Sequence, residues 1–218
     1  MRAIVTTLIL ILLPFVSYAQ GQNRAGGWEW AISGLYQQSK DIGSVGSSTL
    51  NVDDGIGFGF NISYNFSNKL ALGFDLDYLE PDYRAVLIED AMPPTSTVID
   101  HKFTQFNGRF KGTFNFIDAP FTPFVEAGLG WTFIDSNVAD GPPITGCWWH
   151  PYWGPICDNF YTTFTETSFT YGAGIGFRYE FVGGTFVKAS VNNWQLDGVG
   201  SSEDAGITAG RFEFGWSF

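Results

Sequence analysis

The sequence predicts an all-β protein, an eight-stranded antiparallel up-and-down transmembrane β-barrel, and three observations support this prediction. Eight segments place bulky apolar side chains on every second residue, which is the period of a β-strand. The alternate positions of these segments carry polar and charged side chains. After residue 19 there is no run of about 18 apolar residues, so a membrane-embedded chain would have to cross lipid as a closed set of strands.

The first nineteen residues are typical of a secretory signal peptide. Arg2 gives a basic start, residues 8–16 form an apolar stretch, and residues 17–19 have the small-x-small pattern of a cleavage site. We therefore expect a signal peptide at residues 1–19, cleavage after Ala19 and export from the cytoplasm. Residues 20–27 are then expected to form a short periplasmic N-terminal segment, followed by the barrel domain at residues 28–218.

The eight strands are predicted at residues 28–37, 56–66, 70–84, 101–116, 122–136, 166–181, 184–195 and 207–218. Each has one apolar parity and is bounded by turn residues. In chain order, representative apolar positions are Trp28, Trp30 and Ile32; Phe58, Phe60 and Ile62; Leu72, Phe74 and Leu76; Phe106, Phe110 and Phe114; Val125, Leu129 and Trp131; Phe169, Tyr171 and Ile175; Val187, Ala189 and Val191; and Phe212, Phe214, Trp216 and Phe218.

The polar and charged residues that alternate with the apolar ones bear on whether the barrel lies in water or in lipid. Parity alone fits both, because a soluble barrel keeps apolar side chains inside and charges outside. The aromatic face is too bulky to fill the interior of eight strands, and the charged face is nearly balanced, with six acids and five bases. We therefore predict that the rings face lipid and that the lumen holds a charge network of Glu29, Asp75, Asp77, Arg109, Lys111, Glu126, Arg178, Glu180, Lys188, Arg211 and Glu213.

The charges also suggest how the third and fourth strands pair. One register places Asp75 opposite Lys111 and Asp77 opposite Arg109. The connections after strands two, four and six are short, at residues 67–69, 117–121 and 182–183, and the others are long. Short periplasmic turns and long external loops are what an even-stranded outer-membrane barrel requires, with both termini on the periplasmic side.

Together these features resemble the eight-stranded outer-membrane β-barrels of the OmpA, OmpX and OmpW type, including the opacity-like surface antigens. The resemblance rests on the signal peptide, the alternating strands, the loop lengths and the C-terminal Gly215-Trp216-Ser217-Phe218. It implies the outer membrane of a Gram-negative bacterium, contact with its lipid and lipopolysaccharide, and a monomer. It also implies that Phe214, Trp216 and Phe218 act as an assembly signal for the barrel-assembly machinery.

The longest loop follows the fifth strand and contains GCWWHPYWGPICDN. Cys147 and Cys157 are predicted to form a disulfide, because an exported chain is oxidised; free thiols or metal ligands are the alternative. The side chains between them either pack on one another and over the barrel mouth, or form an interaction surface for lipopolysaccharide, a host surface or a small hydrophobic ligand. This loop interaction surface consists of Trp148, Trp149, His150, Tyr152 and Trp153.

Glycines on the inward face raise the question of a pocket. They lie above the predicted charge network and comprise Gly57, Gly59, Gly128, Gly130, Gly172, Gly174 and Gly176. One interpretation is that they permit tight curvature and close packing. The other is an externally open pocket between the charge network and the Trp-rich loop.

The net charge and the two histidines argue against nucleic-acid binding and against catalysis. The formal net charge is −11, and an acidic surface disfavours nucleic acid. Acyl hydrolysis needs a histidine beside a serine and a carboxylate, and neither His101 nor His150 lies in such an arrangement, so we expect no enzyme and no cofactor or metal. The predicted role is envelope integrity or adhesion through the long loops. The alternative is binding or passage of small hydrophobic molecules through a loop-capped lumen.

Overall fold

A computed structural model describes residues 23–45, 48–89, 95–197 and 205–218, so the predicted signal peptide lies outside the described residues. The described chain is all β. Its strands are β1 Trp28–Gln37, β2 Lys40–Val45, β3 Ser48–Val52, β4 Gly55–Asn65, β5 Leu70–Leu79, β6 Asp82–Glu89, β7 Thr95–Lys102, β8 Thr104–Asn115, β9 Phe121–Ala139, β10 Ile144–His150, β11 Gly154–Phe160, β12 Thr163–Glu180, β13 Thr185–Asp197 and β14 Ala205–Ser217.

Eight of these strands close into an antiparallel barrel in the order β1-β14-β13-β12-β9-β8-β5-β4. Each pairs with its neighbour in the chain, and β14 closes the barrel against β1, where Trp216 lies opposite Trp30. The predicted fold class and all eight predicted barrel strands are confirmed. No helix in the described part of the chain is long and apolar enough to cross a membrane.

Six further strands lie outside the barrel, and the sequence did not predict them. β2, β3, β6 and β7 form a four-stranded sheet, and β10 and β11 form a two-stranded hairpin. The third predicted strand therefore runs too far, because β5 ends at Leu79 and the chain enters β6 after Pro81. Proline has no N–H to donate to a ladder; Pro81 instead accepts a hydrogen bond through its carbonyl from Phe103 N–H, between β7 and β8.

The two faces of the barrel wall are oriented as predicted. Rings such as Phe58, Phe110 and Phe177 are exposed on the outside, whereas Glu29, Asp75 and the other charged residues of the predicted network are buried inside. Such a surface is unfavourable in water and favourable in hydrocarbon.

Apolar side chains also lie in the lumen, at both ends of the barrel. Phe124 and Phe186 are fully buried near the end that carries the termini. Toward the opposite end lie Leu196 and Ile207, with Ile134 packed against them. Leu196, Ile207 and Ile134 therefore form an apolar layer beside the charge network, whereas Phe186 lies among the charges, with its ring centre 4.2 Å from the Arg178 guanidinium.

Candidate functional site

Lys111 lies at the centre of the charge network. Its Nζ atom contacts three carboxylates, those of Asp75 at 3.0 Å, Glu126 at 3.1 Å and Glu213 at 3.3 Å. Strands β5, β8, β9 and β14 each supply one of these four side chains, because inward positions on neighbouring strands meet inside a narrow barrel. One ammonium group thus links side chains from opposite sides of the barrel, β8 and β14.

Arg211 links this centre to the next layer of the network. Its Nη1 atom lies 3.1 Å from Asp75 Oδ2 and 3.0 Å from Asp77 Oδ1. Asp77 is also bound by Arg109, with Nη2 2.9 Å from Oδ2, and the Arg109 guanidinium lies 4.3 Å from the centre of the Trp194 ring. The chain of ion pairs therefore extends from Lys111 through Arg211 and Asp77 to Arg109, which lies against Trp194.

Strands β5 and β8 pair as predicted, but the predicted register is wrong by two residues. Asp75 lies opposite Arg109, and Asp77 lies opposite Asn107. Lys111 still reaches Asp75 and Arg109 still reaches Asp77, because long side chains span to diagonal neighbours on adjacent strands. The ion pairs therefore form diagonally, along a register that charge matching alone did not identify.

Arg24 belongs to the charge network, although it lies in residues 20–27, which were predicted to form a short periplasmic segment outside the barrel. It is buried, its Nε atom lies 2.5 Å from Glu180 Oε1, and it brings the inward bases to six, against six acids. Glu180 also contacts Arg178 at 2.6 Å, and Arg178 in turn lies 2.7 Å from Glu29. The missed signal was the imbalance itself, since the predicted network was one base short.

The lumen above the network is packed. Its cavity measures about 20 Å³ and is lined by residues that include Asp77, Arg109 and Trp194, which leaves room for about one water molecule. A Cβ atom added at any of the seven inward glycines would overlap a neighbouring atom; at Gly130 that atom is the Gly108 carbonyl oxygen. These glycines therefore serve close packing, and the proposed open pocket is not present between the described residues.

The Trp-rich loop forms the β10–β11 hairpin. Cys147 lies directly opposite Cys157 in its ladder, and the two form the disulfide. Trp148 packs against Phe160 with ring centres 5.8 Å apart, and His150 stacks on Trp153 at 4.3 Å. The hairpin is thus held by its backbone ladder, one disulfide and a few ring contacts of its own.

The rings at the tip of this hairpin are exposed. The exposed fractions are 74% for Trp149, 88% for Tyr152 and 75% for Trp153. Packing within the loop therefore accounts for Trp148 but leaves three rings largely open to solvent. Exposed aromatic clusters of this kind mark interaction surfaces in proteins.

Two charged groups in and beside the four-stranded sheet, Asp54 and Arg84, have shifted pKa values. The Tyr36 hydroxyl and the Ser39 backbone N–H donate to Asp54 and lower the pKa of its carboxyl group. Asp100 accepts a hydrogen bond of 2.6 Å from Arg84 Nε and raises the pKa of that guanidinium. Both carboxylates are exposed, so these contacts order the surface locally.

The two histidines lie on different sheets, His101 on β7 and His150 on β10. His101 Nδ1 accepts from the Lys102 backbone N–H, and His150 Nδ1 accepts from that of Tyr152. Within the described ranges no cluster of His, Cys, Asp and Glu could hold a metal ion.

The family model for the outer membrane protein beta-barrel domain matches residues 7–218, almost the whole sequence. The chain belongs to this family. As a member of it, the protein lies in the outer membrane of a Gram-negative bacterium and contacts outer-membrane lipid and lipopolysaccharide. No curated protein sequence gives a significant match.

Solved structures of similar fold are outer-membrane barrels as well. OprG of Pseudomonas aeruginosa is 11% identical, with a TM-score of 0.58 over 91% of this chain and 98% of OprG. Neisserial surface protein A is 14% identical, with a TM-score of 0.49 over 92% of this chain and 98% of its own. Ail of Yersinia pestis, solved with the heparin analogue sucrose octasulfate, is 13% identical, with a TM-score of 0.49 over 89% and 99%.

In this outer-membrane barrel the short turns mark the periplasmic end and the two extra sheets mark the extracellular end. The C-terminal residues lie on the periplasmic side, where Phe218 N–H donates to the Trp28 carbonyl. Phe214 and Phe218 are exposed toward lipid, and Trp216 stacks on Trp30 at 4.4 Å. The role of these three residues as an assembly signal stays a prediction.

Proposed function

We propose that this outer-membrane barrel acts in surface interaction, with the β10–β11 hairpin as the part that contacts a surface outside the cell. The observation that carries the proposal is the exposure of Trp149, Tyr152 and Trp153 at the extracellular end. The barrel itself anchors this hairpin in the envelope, and its wall is closed by the pairing of β1 with β14.

The filled lumen supports this role over the passage of small hydrophobic molecules. A ligand pocket usually encloses about 300–1,000 Å³, whereas the cavity between Asp77 and Trp194 is about 20 Å³. A transported molecule would have to displace the buried ion pairs that Lys111 and Arg211 form with their carboxylates. Removing partners from buried charges costs about 3–5 kcal/mol each.

We also propose that the protein has no catalytic role. His101 Nδ1 accepts from the Lys102 backbone N–H and His150 Nδ1 accepts from that of Tyr152, so a neighbouring backbone group occupies this nitrogen in each ring. A general base needs a nucleophile within hydrogen-bond reach.

The test is adhesion of Gram-negative cells that express the wild-type barrel or the triple variant Trp149→Ala, Tyr152→Ala, Trp153→Ala. A matched control replaces two other exposed extracellular rings, Tyr161→Ala and Phe164→Ala. We expect the triple variant to lose adhesion, and the control to retain it, at equal surface levels. Equal adhesion of the triple variant and the wild type would refute the proposal.

Uptake of a small fluorescent hydrophobic dye is measured on the same cells. Under our proposal neither variant changes it. A change in dye uptake without a change in adhesion would favour the passage hypothesis.

A further inference from the structure

We infer that the tip of the β10–β11 hairpin binds the interfacial layer of a zwitterionic phospholipid bilayer, one without net charge, that lies opposite the bacterial surface. This inference rests on the proposed surface-interaction function. The tip consists of Trp149, His150, Pro151, Tyr152, Trp153 and Gly154. The partner chemistry is phosphocholine-type lipid, and the bilayer is a different one from that in which the barrel lies.

The first argument is the chemistry of the exposed rings. Tryptophan and tyrosine have an apolar body and a polar edge, and they concentrate where hydrocarbon meets the headgroup layer. The barrel wall shows the same surface where it meets its own lipid, with exposed rings such as Trp28 and Tyr36. The hairpin repeats this lipid-facing surface on a separate sheet beyond the membrane-spanning wall.

The second argument is charge. Residues 141–157 contain no Asp, Glu, Lys or Arg, although the whole chain has a net charge of −11. The acids on either side of this uncharged stretch, Asp140, Asp158 and Glu166, are exposed. They would repel phosphate- or sulfate-rich partners, and no base on the hairpin would attract them. A neutral surface therefore fits this tip better than an anionic one.

The third argument separates lipid from carbohydrate. A sugar site needs polar side chains placed beside the stacking ring to bind hydroxyl groups. On this hairpin His150 Nδ1 already accepts from Tyr152 N–H at 3.2 Å, and the His150 ring lies against Trp153. Thr145 donates to Asn159 at 2.8 Å farther down the stem. The rings are thus open to a partner, whereas His150 Nδ1 and the Thr145 hydroxyl already have partners within the hairpin, which favours an apolar contact.

The hairpin is also held in shape before it binds. The Cys147–Cys157 disulfide joins its strands, Pro151 lies in the turn, and Pro155 follows Gly154, whose φ of 74° suits the turn. A preorganised loop loses little conformational freedom on binding, so a few rings can give measurable affinity.

The experiment uses the purified protein in nanodiscs and measures co-sedimentation with separate phosphatidylcholine vesicles. We expect the wild type to bind, and the triple variant Trp149→Ala, Tyr152→Ala, Trp153→Ala to bind about tenfold or more weakly, since each tenfold corresponds to about 1.4 kcal/mol of lost ring burial. The control Tyr161→Ala, Phe164→Ala should bind within about twofold of the wild type. Vesicles that also contain phosphatidylglycerol should bind more weakly than pure phosphatidylcholine.

A second measurement identifies which bilayer holds the tip. Brominated phosphatidylcholine is placed either in the vesicles or in the nanodisc, and the difference in tryptophan quenching between wild type and triple variant is recorded. Quenching of the tip by vesicle lipid supports the inference. Quenching only by nanodisc lipid overturns it, because the tip would then lie on the protein's own membrane.

The remaining outcomes separate this inference from the proposed function. If cell adhesion depends on the tip but phosphatidylcholine vesicles do not bind, the function stands and the lipid assignment is wrong. Binding to a neutral glycan or to a protein, with no vesicle binding, likewise overturns the lipid assignment and leaves the function standing. If neither adhesion nor vesicle binding depends on the tip, both are wrong.

Discussion

Arg24 Nε lies 2.5 Å from Glu180 Oε1, and both side chains are buried at the periplasmic end of the barrel. The same guanidinium donates to the backbone oxygens of Asn68, at 3.0 Å, and Ala119, at 2.9 Å. Asn68 and Ala119 lie in the first two short turns, and Glu180 ends the strand before the third. One side chain from the N-terminal segment therefore ties together the three periplasmic turns.

The substitution Arg24→Ala is expected to lower the free energy of unfolding by about 3–5 kcal/mol, because it leaves Glu180 with one cation fewer in a buried site. Urea unfolding of the barrel in lipid vesicles, followed by tryptophan fluorescence, measures this change. Lys69→Ala is the matched control, since it removes an exposed base from the same end of the barrel. The control should change stability by no more than about 0.5 kcal/mol. Equal losses in both variants would show that Arg24 acts only as a surface charge.

Lys111 offers a test of the central network. Replacing it by Met leaves Asp75, Glu126 and Glu213 without their shared cation, so we expect a loss of about 3–5 kcal/mol in unfolding free energy. Breaking the exposed Arg84–Asp100 pair with Arg84→Ala should cost no more than about 1 kcal/mol, because those side chains are 63% and 59% exposed. The same urea titration compares the two variants. A Lys111→Met barrel as stable as the Arg84→Ala barrel would mean that water reaches the network.

The barrel could be predicted from the sequence because lipid imposes a strict pattern on its wall. Outward positions within the membrane have to suit hydrocarbon, and inward positions have to fit a narrow lumen. The strands outside the membrane have no such constraint. Strands β6, β7, β10 and β11 lie in separate sheets outside the barrel wall, so lipid imposes no such alternation on them and they were not predicted.

The details of the site were harder to predict for a different reason. Charge matching placed Asp75 opposite Lys111, but a long side chain can reach a partner two residues away, so opposite charges do not define a register. Arg24 has no alternating neighbours to mark it as part of the barrel. Its role follows only once the three turns are brought together in space.

Gly130 tests whether the inward glycines serve packing. A Cβ atom at this position would overlap the Gly108 carbonyl oxygen on β8, and a backbone atom in a hydrogen-bonded ladder cannot move aside cheaply. We expect Gly130→Ala to lower the unfolding free energy by about 3 kcal/mol or to block folding. Gly34→Ala is the control, because nothing lies within 4 Å of a Cβ there. It should change stability by about 1 kcal/mol or less. Similar behaviour of the two variants, measured by gel mobility with and without heating, would favour open space beside Gly130.

The Cys147–Cys157 disulfide is expected to stabilise the hairpin without affecting the barrel. β10 and β11 pair with each other in a separate sheet, and an isolated two-stranded hairpin is marginally stable in water. Closing a loop of this size is worth about 3 kcal/mol, so a reducing agent, or Cys147→Ser with Cys157→Ser, should let the hairpin open. Hydrogen exchange should then rise for residues 144–160, while exchange in β1 and β14 stays slow. Unchanged exchange in the hairpin would mean that the backbone ladder and ring contacts such as Trp148 on Phe160 hold it without the disulfide. Faster exchange in β14 as well would mean that the hairpin supports the barrel wall, contrary to its placement in a separate sheet.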